Sequence, residues 1–260
     1  MSYLIDTHCH LHDREFFSER QAAKMLKRAE ENKVEKIICI GTSHGDSLAA
    51  AEFALQHENI YWTYGVHPEA LSTPPTGGIL FERIEEVEDD PTLVAIGEVG
   101  LDYHYGQDNK EAQIWLFEEM LQIASDSDLP VVFHVREAFD DFFPVVRNFP
   151  GIKGVVHSFT DSKKVLKRIL NETEFFIGVN GLATYSTLPT PPLERILLET
   201  DAPFLTPVPF RGIINEPAYV YNIAEWLSAK LGVELEIIER ETTKNAEKLF
   251  KFRDPVLCES

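Results

Sequence analysis

The sequence predicts an α/β protein, a (β/α)8 TIM barrel formed by one domain over residues 1–260. Two observations lead to this prediction. Eight short apolar runs are mostly separated by segments of helical periodicity, and the runs are continuous rather than alternating, which is typical of parallel strands covered by helices. Eight such units within about 250 residues are typical of a closed barrel. An open, doubly wound sheet is the alternative fold.

The predicted strands are short apolar runs, most of which end at a glycine or at a polar side chain. They cover residues 4–10, 36–40, 61–66, 93–96, 131–133, 154–156, 175–179 and 196–198. The third run is assigned by its aromatic content, and Pro130 opens the fifth.

Helices are predicted where apolar residues recur at spacings of three and four. They cover residues 19–32, 44–56, 79–90, 137–148 and 161–170, and a further stripe begins at Ile114. Two closing helices have apolar faces over residues 220–231, where Gly232 ends the first, and 235–250. The segment 183–192 is rich in proline, so any helix there should be short or absent.

The chain is strongly acidic, with 24 Lys and Arg against 43 Asp and Glu, a net charge of −19. Such a surface repels nucleic acid and anionic membranes at long range, so an anionic substrate needs local attraction, most simply from bound cations. The three cysteines, Cys9, Cys39 and Cys258, have no disulfide or zinc-finger spacing, which favours a reducing, cytoplasmic location. We find no signal-peptide pattern or run of membrane-spanning length and therefore expect no membrane partner.

A His-x-His motif ends the first predicted strand. His8 and His10 share one face of that strand, because side chains two residues apart point to the same side. Two imidazoles placed in this way form a ready pair of metal ligands. Taken alone, the motif is equally compatible with two solvated loop histidines.

Side chains that bind metals also follow other predicted strands. Glu98 follows the fourth, His134 the fifth, His157 the sixth and Asp201 the eighth. Because the carboxyl ends of all barrel strands open on one face, we expect these residues to converge with the first two histidines. Each residue alone could be a core histidine, a salt-bridge partner or a turn cap; their joint position is what favours a metal site.

Four imidazoles and two carboxylates exceed the needs of one zinc ion and suit two divalent ions about 3.5–4 Å apart. The first ion is predicted to be bound by His8, His10, Glu98 and Asp201. The second is predicted to be bound by Glu98, His134 and His157, so that Glu98 bridges the two. A water between the ions would become the nucleophile, and Asp201 would hold or accept its proton. The many nitrogen ligands favour zinc or manganese over magnesium.

Two further residues are predicted to bind substrate. His67 follows the third strand just before Pro68, and Arg211 follows the eighth. The guanidinium fork of arginine suits bidentate recognition of phosphate. A structural loop role for His67 and a solvated loop position for Arg211 are the alternatives.

These motifs together resemble the TatD family of metal-dependent deoxyribonucleases, within the amidohydrolase-like barrels. The matching segments are IDTHCHL at 5–11, GVHP at 65–68, GEVGLDY at 97–103, PVVFH at 130–134, VHSF at 156–159, ETDAPFL at 199–205, residues 211–217 and residues 243–250. The resemblance implies a two-metal barrel that cleaves DNA phosphodiesters, typically from the 3′ end, with His67 and Arg211 near the phosphate. The chain departs from the family pattern at Asp161, at Phe210 and in a shortened segment before the eighth strand.

The function predicted first is therefore a metal-dependent 3′–5′ exodeoxyribonuclease acting on single-stranded or frayed 3′ ends. The alternative is hydrolysis of a small ester, amide or phosphoester on the same metals, because a fold does not fix its substrate. A non-enzymatic interaction protein is a third hypothesis, against which the complete ligand set argues. The oligomeric state is not predicted.

Overall fold

The computed structural model describes residues 2–70, 84, 86, 87, 89–104 and 108–253. Its strands are β1 (Leu4–Cys9), β2 (Val34–Ile40), β3 (Ile60–Tyr64), β4 (Leu93–Asp102), β5 (Val131–Arg136), β6 (Gly154–Val156), β7 (Phe176–Val179) and β8 (Ile196–Leu198). The strands follow one another in the sheet in chain order, and the pairs with a defined register are parallel. Helices separate most of these strands along the chain, which confirms the predicted fold class, a (β/α)8 barrel.

Some of the helices begin or end at local sequence signals. The helices are α1 (Glu19–Glu31), α2 (His44–Gln56), α3 (Lys110–Asp126), α4 (Phe139–Arg147), α5 (Lys163–Glu172), α6 (Val220–Leu231) and α7 (Leu235–Phe250). The Ser43 side chain accepts a bond from the Asp46 amide at the start of α2, and Ser162 does the same for Val165 in α5. Gly232 ends α6 at φ 65°, a left-handed conformation that glycine adopts without strain.

Two strands extend beyond their predicted ends. β4 continues four residues past Glu98, and β5 continues two residues past His134, so both side chains lie within strands rather than after them. The prediction ended each strand at the first polar side chain, whereas the backbone ladder continues, with Gly100 opposite His134. The register shifts between Ile96 and Val99, so Glu98 occupies an irregular part of the ladder.

The segment 183–192 contains no α-helix, as predicted; short 3-10 turns lie at Gly181–Thr184 and Leu193–Arg195. The helix predicted over residues 79–90 falls largely outside the described residues, and Cys258 lies outside them. Within the described parts of the chain, the helices are too short or too polar to cross a bilayer.

The chain divides into two compact units. The first contains Met1–Cys39 and Val155–Lys248. Its core lies where α6 packs against β1 and β8, with Ile223, Ala224 and Leu227 fully buried. An isolated bridge joins Cys9 to Ala202, which ties the end of β1 to the chain just after β8.

The second unit contains Ile40–Gly154 and Leu249–Ser260. Here α2 packs on β3, and α3 packs on β4. Phe117, Phe133 and Phe142 form an aromatic cluster whose ring centroids lie 5.2–6.0 Å apart. The prediction of a single domain stays a prediction.

Candidate metal centre

A histidine–carboxylate cluster lies at the end of β1 in the first unit. His8 is buried, and the Nε2 atoms of His8 and His10 each lie 3.6 Å from Asp201 Oδ1. These distances exceed those of hydrogen bonds. Two ligands that are each about 2.0–2.2 Å from a tetrahedral zinc ion lie roughly 3.4 Å apart. Each of these two spacings therefore fits a pair of ligands of one divalent ion.

Asp201 is ionised in this cluster. Burial alone would raise the pKa of its carboxyl group, but the neighbouring imidazoles of His10, His157 and His8 outweigh burial and hold that pKa below its ordinary value. The lowered pKa favours the charged carboxylate, which is the form that binds a cation.

The backbone around Asp201 is fixed by β1. Its amide donates to the His8 carbonyl at 2.8 Å, and its φ of 58° is a left-handed conformation that aspartate tolerates. The preceding Thr200 donates through its amide and its hydroxyl to the Asp6 carboxylate, at 2.8 and 2.6 Å. Asp6 is fully buried, and this burial raises its pKa although the bonds from Thr200 oppose the shift. β1 thus positions Asp201 both directly and through Asp6.

Glu199, which the sequence analysis did not single out, supports His157. Glu199 is buried at the end of β8, with Oε1 3.1 Å from His157 Nδ1. The same oxygen accepts bonds from the Ser158 amide at 2.8 Å and the Asn180 side chain at 3.2 Å. His157 also stacks on His8, with ring centroids 3.5 Å apart. Donor atoms of His8, His157 and Glu199 lie within 4.8 Å of one another, so they form a second candidate group in this unit.

The second unit has its own cluster, on β4 and β5. Glu98 is buried; its Oε1 lies 2.6 Å from His134 Nδ1 and 3.8 Å from His67 Nε2. The rings of His67 and His134 meet edge to face at 4.3 Å. Donor atoms of these three residues lie within 4.8 Å of one another. The structure thus places His67 among candidate ligands, and its predicted role in substrate binding stays a prediction.

Asp102 holds the other side of the His134 ring. Its Oδ2 lies 2.8 Å from His134 Nε2. Burial raises the pKa of Asp102, but the bond with His134, the bond from the His104 amide and the charges of His134 and Arg136 together outweigh burial, so the pKa lies below its ordinary value. A carboxylate that binds one nitrogen of an imidazole fixes the tautomer and leaves the other nitrogen for a metal. Asp102, like Asp6 and Glu199, is a supporting carboxylate that the sequence analysis did not single out.

Arg211 lies in the loop after β8, in the first unit. Its guanidinium carbon is 3.7 Å from the centre of the Tyr185 ring, and it forms no ion pair with a described residue. Stacking on an aromatic face orients the guanidinium while its donors stay available. The neighbouring Phe210, one of the departures from the family pattern, stacks on Tyr219 with centroids 4.4 Å apart.

Both clusters combine imidazole nitrogens with carboxylate oxygens, a donor set that suits zinc, manganese or a similar divalent ion. Ions held by such side chains support hydrolysis, because they polarise the bond under attack and lower the pKa of a bound water. The residues present therefore fit metal-assisted hydrolysis.

Comparisons with known proteins agree with this chemistry. Residues 5–251 match the family model described as TatD related DNase. The uncharacterized metal-dependent hydrolase YabD of Bacillus subtilis (strain 168) is 32% identical over 257 residues, which cover 95% of this chain and 99% of the relative. The 3′-5′ ssDNA/RNA exonuclease TatD of Erwinia tasmaniensis is 32% identical over 262 residues, with coverage of 95% and 99%.

A solved structure extends the comparison to three dimensions. The crystal structure of YjjV, a TatD homologue from Escherichia coli K12, superposes with a TM-score of 0.84 at 29% identity, covering 96% of this chain and 98% of that one. The match over nearly the whole chain shows that this protein is a metal-dependent hydrolase and belongs to the TatD family.

Proposed function

We propose that this hydrolase is a 3′–5′ exodeoxyribonuclease that removes nucleotides from single-stranded or frayed 3′ ends of DNA. The observation that carries the substrate class is the 32% identity, over 95% of the chain, to a relative named as a 3′-5′ ssDNA/RNA exonuclease. The site chemistry is compatible with this substrate, because phosphodiester cleavage by two divalent ions is a common use of such ligand sets.

Two divalent ions, zinc or manganese by preference, are proposed to bind, one at each cluster. The 3.6 Å spacings of His8 and His10 from Asp201 support the first position. The grouping of His67, Glu98 and His134, whose donor atoms lie within 4.8 Å of one another, supports the second. The sequence further assigns Glu98 to the first ion and His157 to the second, and both assignments stay predictions. When bound, such ions neutralise the phosphate and activate water for attack.

The chain's own side chains have separate roles in this proposal. The carboxylate of Asp201 accepts the proton that the attacking water loses. Arg211 binds phosphate oxygens through its fork, and its stacking on Tyr185 holds the fork in place. In a chain of net charge −19, local cations of this kind offset the general repulsion of DNA.

The test uses metal-loaded protein and a 5′-labelled single strand with a free 3′ end. We expect a ladder of products that shortens from the 3′ end, while a 3′-blocked strand and a circular single strand stay largely intact. The Asp201→Asn variant should be nearly inactive, and Asp140→Asn, which makes the same change at an exposed position on α4, should match wild type.

Two further substrates distinguish the alternatives. An RNA strand of the same sequence is included because the name of the Erwinia relative covers both nucleic acids. Cleavage of RNA alone would move the substrate class to RNA. Hydrolysis of small phosphodiesters or esters, with no cleavage of either polymer by fully metal-loaded protein, would replace the nuclease proposal with the small-molecule alternative.

A further inference from the structure

Two phenylalanine rings lie beside the first cluster with much of their surface exposed. Phe16 is 43% exposed and Phe204 is 48% exposed. The two rings meet edge to face, with centroids 5.3 Å apart, and Phe204 also meets the ring of His10 edge to face at 6.5 Å. Large apolar side chains that are grouped on a surface, rather than scattered singly, mark binding sites. Here the grouped rings adjoin a candidate metal ligand.

The backbone of Phe204 is held rigidly. Its amide donates to the Asp201 carbonyl at 2.8 Å. The side chain of Asn215, which is fully buried, donates to the carbonyls of Phe204 and Thr200 at 2.5 and 2.7 Å. The segment that carries Phe204 is therefore tied to the segment that carries Asp201, and the ring cannot move far from the cluster.

Phe16 is held by a compact turn after β1. The amides of Phe16 and Phe17 both donate to the Asp13 carbonyl, at 3.3 and 2.9 Å, and the Asp13 carboxylate accepts from the Glu15 amide at 2.7 Å. Phe17 is fully buried and anchors the turn in the core. Rings that are fixed before binding lose little conformational entropy when a ligand arrives.

We propose that Phe16 and Phe204 form a stacking site for a nucleobase near the cleaved end of a single strand. This inference rests on the proposed nuclease function and names the part of the substrate that the site recognises. Aromatic side chains stack on any base, so the site would act without sequence preference.

Charge supports this occupant over a longer electrostatic track. The chain has 43 acidic and 24 basic residues, so its net charge of −19 repels a strand at long range. Stacking supplies affinity that does not depend on basic side chains. A base bound on Phe204 would lie beside the candidate ligand His10, because the rings of Phe204 and His10 meet edge to face.

The experiment compares two DNA strands that differ only at their 3′ ends. One has natural terminal nucleotides, and the other has abasic sugars at the last two positions, so the phosphates are the same and the bases are missing. The variants are the double substitution Phe16→Leu with Phe204→Leu, which keeps apolar volume but removes the rings, and Phe16→Tyr with Phe204→Tyr, which keeps them. Cleavage (kcat/KM) and equilibrium binding by fluorescence anisotropy are both measured.

We expect wild type to cleave and bind the natural end about 5- to 150-fold better than the abasic end, the range for loss of one stacked base. The leucine variant should lose this preference: its kcat/KM and affinity for natural DNA should fall to the wild-type values for abasic DNA. Wild type and the leucine variant should have the same kcat/KM and affinity for the abasic strand. This equality would also show that the variant is folded and retains its metals. The tyrosine variant should behave as wild type.

Three results would overturn the proposal. An unchanged preference in the leucine variant would mean that the base binds elsewhere. Equal use of both strands by wild type would mean that no base is bound. A leucine variant that changes only its sedimentation would identify the two rings as a contact between copies of the chain. If wild type cuts DNA in these cases, the nuclease function stands and the stacking site alone fails; if wild type neither cuts nor binds DNA, both fail.

Discussion

Replacing Asp201 by asparagine removes one negative charge and changes almost no volume. The structure favours this substitution over alanine. Asp201 has a φ of 58°, which asparagine tolerates and alanine does not favour. The hydrogen bond from its backbone amide to the His8 carbonyl does not involve the side chain, so the substitution leaves it in place. The variant should therefore fold normally and unfold at a temperature close to that of wild type.

The expected effect on turnover is large, because one carboxylate has two roles. Its Oδ1 lies at 3.6 Å from two imidazole nitrogens, so it is a candidate ligand, and its carboxylate is also the proposed acceptor of the water proton. The amide keeps one ligand oxygen but has neither the charge nor the basicity. Loss of general-base help predicts that kcat falls by roughly two to four powers of ten. Affinity for metal should fall as well.

The assay measures single-strand cleavage at saturating metal, together with metal content by elemental analysis on the same samples. Asp140→Asn serves as the matched control. Turnover near that of wild type with full metal loading would remove Asp201 from the mechanism. A loss of activity that excess metal fully restores would leave it only the role of a ligand.

Three further predictions follow from the same clusters. Arg211→Ala should raise KM for a phosphodiester by roughly 10- to 100-fold, because a charge-assisted hydrogen bond is lost, and metal content should stay unchanged. A fall in metal content would instead mean that Arg211 stabilises the metal site. Asp102→Asn should weaken metal binding about 10- to 100-fold, because it frees the ring of His134, and a titration of metal-free protein measures this; an unchanged titration would mean that Asp102 does not orient a ligand. Each bound phosphate of a single strand contributes about −0.7 to the slope of log affinity against log salt concentration, so binding of single-stranded DNA by the Asp201→Asn variant should show a slope of only about −1 to −3. With so few contacts, wild type should release the strand after each cut. A steep slope, or rapid cutting of a circular strand, would reveal a longer binding surface.

The positions of the strands along the chain were predictable, because strands that are buried on both faces have continuous apolar sequences. The bounds of β6, β8 and α2 agree with the prediction. The ends of β4 and β5 did not follow from this signal, because Glu98 and His134 are polar side chains inside strands. How far each strand continues depends on its pairing with the neighbouring strand. The sequence of one apolar run does not contain that information.

The supporting carboxylates were not predictable for a different reason. Asp6, Asp102 and Glu199 are three among 43 acidic residues. Each lies in a segment that matches the family pattern, but the segment alone does not say which of its side chains supports a ligand. Burial distinguishes these three carboxylates from solvated ones. Each is buried in space that residues on other strands leave open. A Cβ atom at Gly178 on β7, for example, would lie 2.3 Å from Glu199 Oε2. Such fits depend on residues far apart in the sequence.

The central claim is that each histidine–carboxylate cluster binds a divalent ion. Crystals grown with added zinc or manganese, and measured at the absorption edge of that metal, test it directly by anomalous scattering. The account predicts one peak coordinated by His8, His10 and Asp201 and a second coordinated by Glu98 and His134. A single peak in fully metal-loaded crystals, or peaks away from these side chains, would contradict it.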